Sequence, residues 1–295
     1  MESYLVLNHV NRKRVVRRVM LTILLTIVIA VPLGIVLLRR FERALTFYPV
    51  RYDAGEAWRL PDNSEDVWLK AADGTRLHGW FVRAPVQPAA ATIIYFHGNG
   101  GNLSGVGWIA GHLTARSFDV MLFDYRGYGR SEGAVIDERG IFADADAAYD
   151  YVVRERGVPP ARLVLYGQSL GTTAVADVAS RKPCGAVILE SGLSSASDMA
   201  GVVLPWLPRA FHRLARNRFE SARKLAGVKC PILVAHGDMD EVIPIEQGRA
   251  LYAAAPEPHK RLIIVSGAGH NDLVAIGDDN YLDTVATFIR ASVAP

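Results

Sequence analysis

The sequence predicts an α/β fold: a mostly parallel sheet with an antiparallel start, covered by helices. Two patterns predict the sheet. Short apolar runs at Thr92–Phe96, Val120–Phe123, Leu163–Tyr166, Ala186–Leu189, Ile232–Ala235 and Leu262–Val265 are too short for helices and are followed by polar or glycine-rich residues. Segments with helical spacing lie between several of them, among them Ile141–Arg156 and Thr172–Arg181. Continuous apolar runs of this kind suit parallel strands buried on both faces, and their alternation with helices is the mark of repeated β-α units. A third observation supplies the antiparallel start: DVWLKAA and RLHGWFVRA flank Asp73-Gly74-Thr75, a turn of the type that needs positive φ and joins paired strands. Pro85 and Pro88 then break the chain before the first buried run. No internal repeat or low-complexity segment interrupts this order.

Upstream of the sheet the chain has another character. Residues Val19 to Leu38 carry no charge, and a helix of roughly twenty apolar residues spans a hydrocarbon core of about 30 Å. Pro32 and Gly34 fall inside the run, where membrane helices accept them more readily than soluble ones do. Arg12, Lys13, Arg14, Arg17 and Arg18 precede it; Arg39, Arg40 and Arg43 follow it, with Glu42 among them. The excess on the N-terminal side predicts a cytoplasmic N-terminus. A cleaved signal peptide would show a shorter apolar region ending in small residues, whereas this run ends in Leu37-Leu38-Arg39-Arg40. The expected organisation is a cytoplasmic segment 1–18, a membrane helix 19–38, an irregular aromatic connector 39–61, and a catalytic domain 62–295 on the far side of an inner membrane.

Composition excludes several functions. Hydrophobic residues make up 50% and charged residues 21% of the chain, the balance of a protein with a packed core. The net charge of +3 sits largely in the N-terminal basic cluster, and no basic run with interleaved aromatics suggests nucleic-acid binding. The two cysteines, Cys184 and Cys230, form no C-x-x-C pair, so neither a zinc nor a redox motif is indicated. No metal site or cofactor is expected.

The strongest local signal is Gly167-Gln168-Ser169-Leu170-Gly171, a G-x-S-x-G directly after an apolar strand and before a helix-forming stretch. A sharp strand-to-helix turn strains the backbone and lifts the serine hydroxyl to the sheet edge, and glycines relieve the crowding it causes. A serine hydroxyl is a poor nucleophile near neutral pH and needs a base within hydrogen-bond reach. His270, on the glycine-flanked loop after the last apolar run, is the first choice among eight histidines. The base needs a carboxylate to fix its tautomer. Asp238 and Asp240 both follow Pro231–Ala235; Asp240 lies further into the loop and is preferred, with Asp238 expected to shape the turn. Asp272 is a third candidate, read as structural. The oxyanion hole is expected from the backbone N–H of Leu170 and, in the loop His97-Gly98-Asn99-Gly100-Gly101-Asn102, that of Asn99. A phosphate loop is disfavoured because no G-K-[ST] ends this segment. The segment Asp124-Tyr125-Arg126-Gly127-Tyr128-Gly129 also follows a strand and is read as packing rather than pocket lining. His78 and His236 are read as structural.

Taken together, YFHGNGGN at 95–102, DYRGYGRSEG at 124–133, GQSLG at 167–171, HGDMDEVIP at 236–244 and GAGHND at 267–272 resemble the α/β-hydrolase superfamily, and within it the membrane-anchored serine hydrolases related to eukaryotic depalmitoylating hydrolases. The chain order Ser169, Asp240, His270 is the order of that fold. The resemblance implies an eight-stranded sheet with a small cap after the sixth strand, at 191–229, with Trp206, Phe211 and Leu214 as lid contacts. It departs from the eukaryotic depalmitoylases in carrying a plain apolar helix where they have a cysteine-rich, lipid-modified N-terminus. It also places Cys184 and Cys230 before neighbouring strands, so that a disulfide is conceivable.

The expected function is hydrolysis of carboxylic esters or thioesters through an acyl-serine intermediate, on a small-molecule, lipid or acylated substrate. The same triad serves peptidases and amidases, and a hydrolase fold can also be a non-catalytic scaffold.

Overall fold

In a computed structural model, the chain is described over residues 2–52, 60–206, 208, 212 and 215–293. It divides into two compact units, Met1–Thr46 and Phe47–Pro295.

The first unit is one helix, Glu2–Thr46. Its stretch from Val15 to Thr46 has a mean hydropathy of 2.9 in its most apolar window, long and apolar enough to cross a membrane. The hydroxyls within it are satisfied locally. Thr22 donates to the Arg18 carbonyl at 3.0 Å and Thr26 to that of Thr22 at 2.9 Å, which removes the cost of an unpaired polar group in an apolar surrounding. The helix does not end near Leu38: the residues expected to be irregular from Phe41 stay helical through Thr46.

The second unit is built on eight strands: β1 Ser64–Lys70, β2 Arg76–Val82, β3 Ala91–Phe96, β4 Phe118–Phe123, β5 Leu163–Gln168, β6 Ala186–Glu190, β7 Ile232–Gly237 and β8 Lys260–Val265. Their order in the sheet is β8-β7-β6-β5-β3-β4-β2-β1. The β2 strand is antiparallel to β1 and β4, and all other neighbours are parallel. The opening hairpin turns at Gly74, whose φ of +90° suits a residue without Cβ. The Asp73 carboxylate accepts the Thr75 N–H at 3.1 Å and stiffens the same turn.

The period of two along each strand sorts side chains onto two cores. Ile94 and Phe96 of β3 join Leu165, Val187 and Val234 on one face, with helices Glu138–Asp150 and Gly171–Arg181. Ile93 and Tyr95 join Val164, Ile188 and Leu233 on the other, with helices Trp108–Thr114 and Leu273–Ser292. Burial on both faces is why these strands read as unbroken apolar runs. The segment expected as one helix over 141–156 is α-helical only from Glu138 to Asp150 and continues as a π-helical turn, Tyr151–Glu155.

Among the described residues, the chain between β6 and β7 holds two short helices, Ala196–Val203 and Ser221–Leu225. Trp206, expected to contact the lid, is 75% exposed; Phe211 and Leu214 lie outside the described residues. Residues 47–52, read in the sequence as connector, belong to the second unit. Phe47 is buried in the first core and Tyr48–Pro49 pair in parallel with Gly100–Gly101.

Cys184 and Cys230 precede the neighbouring strands β6 and β7, at the sheet end opposite Ser169. Both are free, and their sulfurs lie 3.1 Å apart. Because the side chains already meet, exchange with oxidised glutathione is expected to bridge them without moving the strands. A thiol titration in denaturant should then fall from the two thiols of the reduced chain to none; two thiols surviving the oxidant would contradict this.

Candidate active site

Strand β5 runs straight into Ser169, whose φ of +53° lies in the left-handed region that β-substituted residues avoid. The strain is held by close packing on either side. A Cβ on Gly171 would lie 1.9 Å from the Phe96 carbonyl oxygen, and one on Gly167 would lie 2.6 Å from the Gly171 carbonyl, so only glycine fits at these positions. The Ser169 N–H donates to the Glu190 carbonyl on β6 at 2.9 Å, and its own carbonyl accepts from Thr172 N–H at 3.0 Å, opening the helix. The hydroxyl thus stands above the C-terminal edge of the sheet.

His270 reaches it from the loop after β8. Its Nε2 lies 2.9 Å from Ser169 Oγ, and its Nδ1 lies 2.8 Å from Asp240 Oδ2. The loops carrying these residues are tied together. Asp238 accepts the Gly267 N–H at 2.6 Å and the Ser266 hydroxyl at 3.0 Å, while Met239 N–H donates to the Ala268 carbonyl at 2.9 Å. Asp272 accepts the Gly269 N–H at 2.6 Å. Asp238 and Asp272 therefore fix loops.

Asp240 is held on both oxygens. Oδ1 accepts the N–H groups of Val242 at 2.9 Å and Ile243 at 2.8 Å. Oδ2 faces His270 and also His236 Nε2 at 3.2 Å. Burial works against the charge, but His236, His270 and the Ile243 N–H outweigh it and hold this carboxyl well below the usual carboxylate range. His236 Nε2 also lies 2.8 Å from the Ile243 carbonyl, so Nε2 carries the proton. The sequence reads His236 as structural, following the strand; the structure places it within β7 and beside Asp240. The fixed step of four from His236 to Asp240 was the only available signal.

The loop after β3 brings Asn99 to the same edge. Its carbonyl and Oδ1 accept from the Tyr128 hydroxyl at 3.1 and 3.0 Å, and Oδ1 also accepts the Tyr48 N–H at 3.1 Å. Behind it, Asp124 Oδ1 accepts the Leu103 N–H at 2.9 Å. Burial pushes the Asp124 carboxyl up to about 8 and the neighbouring His97 imidazole down to about 4. Tyr125 and Tyr128 are fully buried; the DYRGYG segment packs as expected, and Tyr128 additionally carries Asn99. Under β6, the buried Glu190 accepts from Tyr281 at 2.6 Å and from Tyr166, and burial raises its pKa.

Leu170 directly follows Ser169 and precedes helix Gly171–Arg181, at a helix start where N–H groups have no intrahelical acceptor and favour negative charge. Among the described residues no cluster of three His, Cys, Asp or Glu is arranged for a metal. The arrangement can activate a hydroxyl and return its proton.

Comparison with known proteins adds ancestry to this geometry. The sequence profile of the family described as "Serine aminopeptidase, S33" matches residues 87–224. The uncharacterized protein YfhR of Escherichia coli is 37% identical over 245 residues, covering 80% of this chain and 84% of that protein. The "Alpha/beta hydrolase domain-containing protein WAV2" of Arabidopsis thaliana is 31% identical over 281 residues, covering 88% of this chain and 91% of that protein. Among solved structures, the Pyrococcus furiosus esterase Pf2001 superposes with a TM-score of 0.68 at 17% identity, covering 84% of this chain and all of that one, a likeness of fold.

Proposed function

Because the chain belongs to the α/β-hydrolase family, we propose that it is a serine hydrolase of esters and thioesters, with Ser169 as nucleophile, His270 as base and Asp240 as its orienting carboxylate. The unbroken chain from Ser169 Oγ through His270 to Asp240, with links of 2.9 and 2.8 Å, carries this reading. With Asp240 ionised, His270 keeps its proton on Nδ1 and presents the Nε2 lone pair to the hydroxyl. Ser169 Oγ attacks the acyl carbon as its proton passes to Nε2. The carbonyl oxygen becomes an oxyanion facing the N–H groups of Leu170 and Asn99. Collapse breaks the bond to the leaving group, which takes the proton from Nε2. Water then attacks the acyl-serine by the same steps and releases the acid.

Acyl substrates are favoured by exposed apolar side chains between β6 and β7, where Val202, Val203 and Trp206 face solvent. Amide hydrolysis is the second reading, favoured by the aminopeptidase description of the matching family. A fluorophosphonate probe, which phosphonylates activated serines, is expected to label the full-length protein and not its Ser169→Ala variant. A folded wild-type protein that stays unlabelled would overturn the assignment.

The apolar helix is proposed to anchor this domain outside the cytoplasm, supported by the basic residues preceding it. A C-terminal reporter enzyme active only outside the cytoplasm should therefore be active. Signal only from a reporter confined to the cytoplasm would reverse the orientation.

A further inference from the structure

The middle of the oxyanion loop carries no side chains to hold it. It contains Gly100 and Gly101, the latter at φ +77°, and no atom lies within 4 Å of where a Cβ would sit on either. Glycine has the largest backbone entropy to lose, yet an oxyanion hole works only if its donors are fixed before charge develops. Something outside the loop must hold it.

We propose that residues 47–52 are a strap that fixes the oxyanion loop, with Tyr48 and Tyr128 as positioning residues for Asn99; the proposal rests on the serine hydrolase reading above. The strap is the first segment after the apolar helix in sequence. It pairs in parallel with the loop, Tyr48 opposite Gly100 and Pro49 opposite Gly101. The Tyr48 N–H and the Tyr128 hydroxyl converge on Asn99 Oδ1 at 3.1 and 3.0 Å. This pins the Asn99 side chain and so sets the peptide plane that carries its N–H. The strap is itself secured at several points. Val50 accepts the Gly129 N–H at 2.9 Å and the Asn102 side-chain amide at 3.4 Å. Arg51 donates to the Ser131 and Gly133 carbonyls. Phe47, buried, packs edge-on against Phe219 with ring centroids 6.1 Å apart. A segment that reads as a linker thus forms one wall of the site.

The test uses the full-length protein in detergent and three variants. Tyr48→Pro removes the strap N–H, Tyr128→Phe removes the hydroxyl with little change of shape, and Asn99→Ala removes their shared acceptor while keeping the Asn99 N–H. Losing a whole oxyanion donor costs about 10²–10³ in kcat, and a displaced one should cost about 10- to 100-fold. Each variant is expected to lose kcat by that factor on a p-nitrophenyl ester while KM holds. Inhibition by a trifluoromethyl ketone, whose hemiketal oxyanion needs the same donors, should weaken in step. Combining Tyr128→Phe with Asn99→Ala should cost less than the product of the two, because one of the two contacts of the Tyr128 hydroxyl is with Asn99 Oδ1. If Tyr48→Pro does not fold, Tyr128→Phe decides. Variants with kcat near that of wild type, or a lost kcat with unweakened ketone inhibition, would overturn the strap. A wild-type protein without Ser169-dependent hydrolysis would instead remove the serine hydrolase reading, and the strap with it.

Discussion

Ser169→Ala is expected to lower ester turnover by about 10⁶-fold with little change in KM, because in the proposed mechanism the three residues act as a unit and the variant has no atom to form the acyl intermediate. A residual rate about 10³-fold above water should survive through the oxyanion donors and substrate binding. The substitution is structurally mild. Ser169 holds the turn through its backbone, its N–H on the Glu190 carbonyl and its carbonyl on Thr172, and alanine keeps both bonds. Hydrolysis of p-nitrophenyl esters by purified wild-type and variant proteins, alongside their melting temperatures, checks this. Turnover within tenfold of wild type would show that another group is the nucleophile.

Asp240→Asn is expected to cost about 10⁴-fold in kcat, by a route that the hydrogen bonds specify. Oδ1 accepts two backbone N–H groups, from Val242 and Ile243, so the amide oxygen of an asparagine must occupy that position. Its NH₂ is then forced to where Oδ2 stood, facing His270 Nδ1 and His236 Nε2. His270 can meet a donor only by becoming an acceptor at Nδ1, which moves its proton to Nε2. That nitrogen can no longer take the proton of Ser169. The protein should stay folded and bind substrate, with the loss confined to kcat. A loss below about tenfold would mean that Asp240 does not set the tautomer and that the carboxylate role belongs elsewhere.

The strands of the parallel sheet were legible because burial on both faces writes them as uninterrupted apolar runs. Ser169, His270 and Asp240 were legible for a related reason. Each follows such a run, where the fold collects strand ends on one edge, and the G-x-S-x-G spacing carries a steric demand visible in the glycines themselves. The choice of Asp240 over Asp238 was harder, since both follow β7 within a few residues. Contacts separate them: Asp238 faces Ser266 and Gly267, and Asp240 faces His270.

Less legible was everything that depends on residues distant in the chain. Tyr48 and Asn99 are 51 positions apart and meet through one hydrogen bond; nothing local in FERALTFYPVRYD marks it as part of an active site. The charges after Leu38 end the apolar run without ending the helix, which continues to Thr46.

The sequence by itself determined the fold class, the apolar N-terminal segment and the three side chains of the candidate triad, because periodicity, glycine placement and chain order are local properties. Only the tertiary structure decided how the site is held: what ties the loops of Asp240 and His270 together, and which segment pairs with the loop that carries Asn99. Those depend on hydrogen bonds across dozens to a hundred residues, and a hydrogen bond between distant residues leaves no periodic trace in the chain that forms it.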